Sequence, residues 1–197
     1  MRPFNCFSFL SVASATIACC AEIEERRSGI FGGEMIAADN FFRGQHGADP
    51  LTWTGDLAQE AQGWANTCNW FHDSVGENLA SSTGFTSWGA FVNMWGSERK
   101  KYDWNPASFS VHTGHFTQVV WKNSRSVGCG WKKCGGGQDK AKGFYVVCKY
   151  DPTGNYQGQF RQNVGKQITG QLSDEWQPRG SNQVGTHNEE NGSLERL

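Results

Sequence analysis

Four cysteines restrict the folds open to this chain more than any other feature of the sequence. The chain of 197 residues contains seven cysteines. Three of them lie in an apolar N-terminal segment that is predicted to be removed: Cys6, Cys19 and Cys20. The four others are Cys68, Cys129, Cys134 and Cys148. An even set of four predicts two disulfides and a protein that matures in an oxidising compartment.

The spacing of these cysteines leaves their pairing open, because four cysteines allow three connectivities. A zinc knuckle is the rival interpretation. It is the weaker one, since Cys129 and Cys134 lack the tight two-residue spacing of such a site and Cys68 lies far along the chain.

The N-terminal residues 1–21 are predicted to form a signal peptide. Arg2 supplies a basic start, residues 4–17 are mainly apolar or small, and residues 18–21 offer small side chains for cleavage. The apolar run is too short to span a bilayer, and the polar C-terminus carries no lipid-anchor signal. We therefore expect a secreted, extracellular protein without a transmembrane anchor.

The rest of the chain is predicted to hold one domain, residues 33–164, between two flanking segments. Residues 22–32 are interpreted as a linker or as a pro-segment released at Arg26-Arg27, although this pair could equally be two solvated charges. Residues 165–197 are predicted to be a polar, disordered tail, because large apolar residues are scarce there. In that tail Asn191 begins an Asn-Gly-Ser glycosylation pattern. The formal net charge of -1 argues against a nucleic-acid partner held by bulk electrostatics.

Local patterns predict a mixture of helices and strands. Residues 33–46 are expected to be helical, and a second helix is expected to begin after Thr54. Residues 75–80 suggest a short strand. Residues 127–133 and 144–150 are typical of two strands joined as a β-hairpin by a glycine-rich connector.

A third predicted helix carries a carboxylate on its apolar stripe. The stripe has helical steps of three and four residues and consists of Trp88, Phe91, Trp95, Glu98 and Tyr102. An inward carboxylate is costly unless it is paired, hydrogen-bonded or bound to a metal. The alternative is that the stripe ends at Trp95 and that Glu98 begins a solvated last turn.

The block from Gly114 to Ser124 places a histidine, His115, beside apolar residues that fix the backbone around it. Periodicity does not decide between a strand and a short helix, and the threonine and valines of the block favour a strand. A hydrogen-bonded histidine at the rim of a core is the plainer interpretation of His115.

Four blocks together resemble the CAP superfamily, which includes cysteine-rich secretory proteins, venom antigens and plant pathogenesis-related proteins. Residues 114–124 and 145–156 resemble its two long signatures, and residues 76–79 resemble its short Gly-Glu-Asn motif. Residues 39–43 followed by residues 50–53 resemble its first helix and connector. Two residues depart from the family pattern, Asp39 and Lys149, and neither matches a position of the family's central site.

The resemblance implies an α+β fold, a three-layer α-β-α sandwich with a central antiparallel sheet, in which the block at His115 is a short helix. It also implies that Cys68 pairs with Cys134 and that Cys129 pairs with Cys148.

CAP domains contain a cleft formed by two histidines and two acidic residues, and the resemblance assigns these roles to His72, Glu77, Glu98 and His115. Two neutral imidazoles can bind zinc or another divalent metal, and the carboxylates can orient the imidazoles from behind or accept protons. The spacing differs from the helical His-Glu-x-x-His pattern of metalloproteases. Only the tertiary fold can bring these residues together.

Three aromatic residues, Tyr102, Trp104 and Phe109, are spaced as in the aromatic loop of sterol-binding CAP proteins. Flat apolar rings suit a sterol or an acyl chain. The alternative is that Tyr102 and Trp104 fill the core and that Phe109 packs beneath the loop.

The favoured function is therefore a secreted, non-catalytic domain that binds a sterol or fatty acid, with a divalent metal as a second ligand of the cleft. One alternative is a metal-dependent peptidase or esterase in which the four cleft residues act as a catalytic set. Another is a signalling or defence module recognised by a protein partner. A cysteine-rich effector domain is not expected, because no cysteine follows Cys148.

Overall fold

The computed structural model describes residues 12–179 and 194–196, and the side chains of residues 29–179. Two units are distinguished: the N-terminal part of the first helix, up to Phe31, and the unit that begins at Gly32. The helices are α1 (Val12–Gln45), α2 (Gly55–Thr67), α3 (Gly89–Gly96), α4 (Gly114–Val119) and α5 (Phe160–Asn163), with a 3₁₀ helix at Ser97–Lys101. The strands are β1 (Thr52–Trp53), β2 (Glu77–Ser82), β3 (Ser126–Gly135), β4 (Lys142–Asp151) and β5 (Leu194–Arg196).

The sheet is built around the predicted hairpin of β3 and β4, and its strand order is β1-β3-β4-β2-β5. The pairs β3–β4, β4–β2 and β2–β5 are antiparallel, whereas β1 at one edge runs parallel to β3. A parallel pair needs a long crossover connection, and the chain between β1 and β3 contains α2, α3 and α4. The sheet is thus antiparallel in its centre and mixed at one edge.

Helix α2 covers one face of the sheet at very short range. A Cβ atom added to Gly128 would lie 2.2 Å from the backbone nitrogen of Ala58, and one added to Gly130 would lie 2.3 Å from the Cα of Gln62. Real Cβ atoms do not approach so closely, so the two glycines of β3 allow the helix backbone to rest directly on the strand.

The opposite face is covered by the part of α1 that follows Phe31 and by α3 and α4, which completes the predicted three-layer α-β-α arrangement. The Trp95 indole donates a hydrogen bond to the carbonyl oxygen of Leu79 in β2, at 3.2 Å. Within this layer α1 and α3 touch at Gly96, where an added Cβ would lie 2.3 Å from the Phe42 ring. The fold class expected from the sequence is confirmed.

Two disulfides strengthen this arrangement, one between α2 and the sheet and one within the sheet. One joins Cys68, at the end of α2, to Cys134 in β3, and the other joins Cys129 and Cys148, which lie opposite each other in β3 and β4. This is the pairing that the family resemblance implies.

The third predicted helix is divided in two. Helix α3 ends at Gly96, and the chain continues as a 3₁₀ helix that holds Glu98. Gly96 serves the close contact with Phe42 and has a low helix propensity, which fits a change of helix type at this point.

Residues 165–179 differ from the predicted disordered tail, because they are held by the buried Arg99. Its guanidinium donates to the backbone carbonyl oxygens of Leu172 (3.2 Å), Gln171 (2.9 Å) and Asp174 (2.7 Å). These acceptors belong to the main chain, so the polar composition of the segment gave no sign of them. We call residues 165–179 the C-terminal strap.

The strap is fastened a second time at Trp176. The Asn93 side chain donates to the Trp176 carbonyl at 2.9 Å and accepts from its backbone nitrogen at 2.8 Å. The indole lies over Gly89, where a Cβ would be 2.2 Å from the ring. The strap therefore packs against α3.

Several predictions fall on other parts of the chain. Residues 1–11 of the predicted signal peptide, residues 180–193 and Leu197 lie outside the described residues, and so does the glycosylation pattern at Asn191. Within the described part, no helix is long and apolar enough to cross a bilayer.

Candidate functional site

A cleft of about 710 Å³ lies beside the N-terminal end of β2. Three separate segments form it: the loop that leads into β2, the residues around α4, and the turn after β4. Its lining residues are His72, Asp73, Ser74, Val75, Gly76, Glu77, Asn78, Phe109, Val111, Gly114, His115, Gly154, Asn155, Tyr156 and Gln157.

His115, in the first turn of α4, is held from several sides. Its Nδ1 lies 2.9 Å from Glu98 Oε1, and the backbone nitrogen of Phe116 donates to Glu98 Oε2 at 3.1 Å. Asn78 donates to the His115 carbonyl at 3.1 Å, and the Trp95 ring stacks on the imidazole at 6.2 Å between centroids. The His115 and Glu98 side chains are only 6% and 1% exposed, so this pair is part of the core.

His72 faces the same cleft from a loop. Its Nδ1 lies 3.3 Å from Glu77 Oε2, which also accepts a hydrogen bond from the backbone nitrogen of Asp73 at 3.1 Å. The His72 side chain is 44% exposed, whereas the Glu77 side chain is fully buried. Here only the carboxylate belongs to the interior.

A lysine stands behind the Glu77 carboxylate. Lys149 Nζ, on β4, lies 3.3 Å from Glu77 Oε1, 3.1 Å from Asp73 Oδ2 and 2.8 Å from Ser74 Oγ. Its side chain is 9% exposed. The sequence shows Lys149 as a departure from the family pattern and assigns it no place at the site, yet it is in direct contact with a site carboxylate.

Both imidazoles turn Nδ1 toward a carboxylate. An ionised carboxylate only accepts hydrogen bonds, so against it Nδ1 carries the proton, and in the neutral imidazole Nε2 keeps its lone pair. Histidines that bind metals are commonly oriented in this way by a carboxylate behind the ring. Among the described residues, however, no group of three or more His, Cys, Asp or Glu side chains is arranged to hold a metal ion. A metal in this cleft would be bound by the two imidazoles and by other ligands.

The sequence that forms this site matches a known protein family. Residues 37–150 match the family described as CAP, the cysteine-rich secretory protein family. The chain belongs to this family.

Plant and fungal proteins resemble this CAP domain in sequence. Pathogenesis-related leaf protein 4 of Solanum lycopersicum is 39% identical over 132 residues, which cover 64% of this chain and 80% of the relative. Protein PRY2 of Saccharomyces cerevisiae is 40% identical over 141 residues, which cover 68% of this chain and 41% of the yeast protein.

Solved structures share the fold at lower sequence identity. Venom allergen-like protein 4 of Schistosoma mansoni has a TM-score of 0.56 at 21% identity, covering 69% of this chain and 95% of that one. The structure of NaASP2 with Zn²⁺ has a TM-score of 0.50 at 20% identity, covering 74% of this chain and 86% of that one.

Of the four acidic and histidine residues that the sequence assigns to the site of this CAP domain, three line the cleft: His72, Glu77 and His115. Glu98 is not part of the lining. It lies behind His115 and reaches the cleft only through that imidazole.

The three predicted ligand-binding aromatic residues are separated by the fold. Phe109 lines the cleft, and its ring lies over Gly114, where a Cβ would be 2.9 Å away. Tyr102 and Trp104 are not part of the lining: their rings meet edge to face at 4.9 Å and both pack against Phe116. Both rings pack against α4, as the alternative interpretation of these two residues expects.

The mouth of the cleft has an apolar rim, which sequence reasoning missed apart from Phe109. The rim consists of Val75 (77% exposed), Val111 (74%), Tyr156 (51%) and Phe109 (44%). They are four of the eight large hydrophobic residues exposed in the described part of the domain, so exposed apolar surface is concentrated at the cleft. These residues lie in three separate loops, and no spacing rule connects them.

Asp39, the other departure from the family pattern, is a buried carboxylate outside the cleft. Burial raises its pKa from 3.8 to about 7, while the hydrogen bond from the Tyr150 hydroxyl at 3.1 Å and the positive charge of Arg43 lower it. The Asp39 Oδ2 atom has no hydrogen-bond partner. Burial thus raises the pKa of Asp39, a carboxylate that lacks the direct ion pair that Glu77 has.

Proposed function

We propose that this CAP domain is secreted and that it binds a small hydrophobic ligand, a sterol or a fatty acid, in the cleft between His72 and His115. The observation that supports this most strongly is the composition of the cleft: about 710 Å³ of space with an apolar rim at the mouth and polar groups at the base. Ligand sites in proteins are typically about 300–1,000 Å³, mostly apolar, with a few polar groups that fix orientation.

The rim provides the apolar contacts. The Phe109 ring is held against Gly114, next to His115, so it offers a fixed flat surface. Val75 and Val111 are exposed aliphatic groups that a rigid ring system or an acyl chain can cover. Covering them is favourable at roughly 25 cal/mol per Å² of apolar surface removed from water.

Binding of a labelled sterol and a labelled fatty acid to the purified protein tests the proposal. Phe109→Ala and Val111→Ser are expected to weaken binding about tenfold, because each removes an apolar contact at the mouth. Leu172→Ala is the matched control, since Leu172 is 50% exposed but belongs to the strap. Absence of saturable binding by the unmodified protein, or equal losses in all three variants, would refute a ligand site in this cleft.

We propose a divalent metal as a second ligand at the base of the cleft. A bound divalent ion would supply a Lewis-acidic centre with an open position for an oxygen of the ligand. The residues that would hold it are His72 and His115 through Nε2, with Glu77 and Glu98 fixing the rings through Nδ1. A related fold has been solved with Zn²⁺, which makes zinc the first metal to test.

Zinc titration of the purified protein, followed by calorimetry, provides that test. His72→Ala is expected to abolish zinc binding and to leave the fold intact, because the His72 side chain is 44% exposed. Retention of zinc by His72→Ala at unchanged affinity would exclude the two imidazoles as its ligands.

A further inference from the structure

Three polar groups of the cleft wall converge on the ammonium group of Lys149: the Glu77 and Asp73 carboxylates and the Ser74 hydroxyl. Both carboxylates line the cleft, whereas Lys149 is absent from the lining. The lysine therefore acts on the cleft from behind its wall.

The three contacts are not equivalent. The Ser74 hydroxyl, at 2.8 Å, and Asp73 Oδ2, at 3.1 Å, are hydrogen-bonded to Lys149. Glu77 Oε1, at 3.3 Å, forms an ion pair with it and makes no hydrogen bond. The other oxygen of Glu77 accepts from His72 and from the Asp73 backbone. One oxygen of Glu77 is thus taken by hydrogen bonds, and the other faces the Lys149 ammonium group, so a cation in the cleft would have to compete with that ammonium group for Oε1.

We propose that Lys149 determines the metal affinity of the cleft by keeping it low. Its charge offsets two carboxylates that would otherwise attract a divalent cation next to His72, and its ion pair prevents Glu77 from serving as a metal ligand. The inference rests on the proposed metal site at His72 and His115. It assigns a specificity-determining role to a residue that differs from the family pattern.

Electrostatics favours this role over a purely structural one. The Glu77 carboxylate separates the Lys149 ammonium group from the proposed metal site. In a partly solvated site, a unit positive charge at such a separation repels a divalent ion strongly enough to lower the metal affinity about tenfold or more. The loop has other anchors: the backbone nitrogen of Tyr150 donates to the Gly76 carbonyl at 2.9 Å, and that of Trp70 donates to the Asp139 carbonyl at 3.0 Å. Loss of the ammonium group is therefore expected to leave the loop in place.

Zinc affinity measured by calorimetry tests the proposal in two neutral variants, Lys149→Met and Lys149→Gln. Methionine keeps the length of the side chain, and glutamine keeps a donor for Ser74, so the two variants disturb packing in different ways. Both are expected to bind zinc at least about tenfold more tightly than the unmodified protein. Lys149→Arg keeps the charge and is expected to remain within about threefold of it.

A change of net charge outside the cleft lining is controlled by Lys140→Met. Lys140 is exposed and bonds to Thr67 and Asn69, and none of these three residues lines the cleft, so its loss should leave zinc affinity nearly unchanged. A similar gain in Lys140→Met and Lys149→Met would show a non-specific charge effect and would overturn the proposal.

The failure of this inference is distinguishable from the failure of the proposed function. If the unmodified protein binds zinc and the neutral variants bind it equally or more weakly, Lys149 does not limit affinity and only this inference fails. If none of the proteins binds zinc, the inference and the proposed metal site fail together, while ligand binding at the apolar rim is still tested by its own assay.

Discussion

The two histidine–carboxylate pairs of the cleft have the same hydrogen-bond pattern and opposite surroundings. His115 and Glu98 are both buried, lie on two short helices, and are covered by Trp95. His72 is 44% exposed on a loop, and its carboxylate, Glu77, is supported by the Lys149 ammonium. In one half of the cleft both partners belong to the core of the fold, whereas in the other half only the carboxylate does, so the histidine of that half is expected to tolerate substitution.

The largest expected difference between the halves concerns stability. His115→Ala removes the imidazole partner of a buried carboxylate and is expected to lower the free energy of unfolding by about 3–5 kcal/mol. His72→Ala is expected to cost less than about 1 kcal/mol, because the ring is half exposed. Urea denaturation of both variants measures the difference, and equal losses would contradict the distinction between the halves.

A second prediction concerns the C-terminal strap, which is fastened beside the buried half. Arg99 follows Glu98 directly and binds three strap carbonyls, so Arg99→Met is expected to lower the free energy of unfolding by about 2–3 kcal/mol. The strap should also become sensitive to proteases. Lys100→Met, at an exposed neighbouring position, is the control. An Arg99→Met protein as stable as the Lys100→Met protein would show that the strap gives no support.

A third prediction concerns Asp39, a buried carboxylate without the direct ion pair that Glu77 has. In the folded protein the pKa of Asp39 is raised to about 7, so it keeps its proton at pH values at which the unfolded chain has lost it. The contribution of Asp39 to the free energy of unfolding therefore falls as the pH rises from about 4 to 7.

Asp39→Asn should lack this fall, so the variant should gain about 1–3 kcal/mol relative to the unmodified protein between pH 4 and pH 8. Denaturation series at both pH values measure the gain. A constant difference between the two proteins would show that Asp39 is ionised in the folded state.

The smallest expected effect comes from zinc itself. At about ten times its dissociation constant, zinc should stabilise the protein by about 1 kcal/mol. This gain should shrink as the pH is lowered from 8 to 5, because protons compete for the imidazole nitrogens. Thermal denaturation with and without zinc measures it. The His72→Ala protein should show no gain at either pH, and a gain that persists at pH 5 would argue against imidazole ligation.

Local sequence patterns predicted a mixture of helices and strands, and the resemblance to a family supplied the three-layer sandwich. The helical spacing of the apolar stripe left the orientation of Glu98 open, and the resemblance favoured the inward one, which is the orientation in the 3₁₀ helix. The resemblance to a family supplied His72, Glu77 and His115, whose separation in sequence hides their proximity.

Other features could not be predicted for physical reasons. Aromatic spacing does not tell whether a loop turns inward, so Tyr102 and Trp104 were expected to meet a ligand although they pack beneath α4. The strap is fixed through backbone carbonyls, which composition does not report. Lys149 could be recognised as unusual, but its carboxylate partners meet it only across the folded sheet.

The contact between β3 and α2 determines the packing of these two elements and also the start of the loop that carries His72. Gly128 and Gly130 let the helix lie against bare backbone, and the chain that leaves this helix at Cys68 leads within four residues to His72. A methyl group on either glycine would push the helix outward and move the start of that loop with it. The position at which the loop to His72 begins is therefore set in part by two missing side chains in β3.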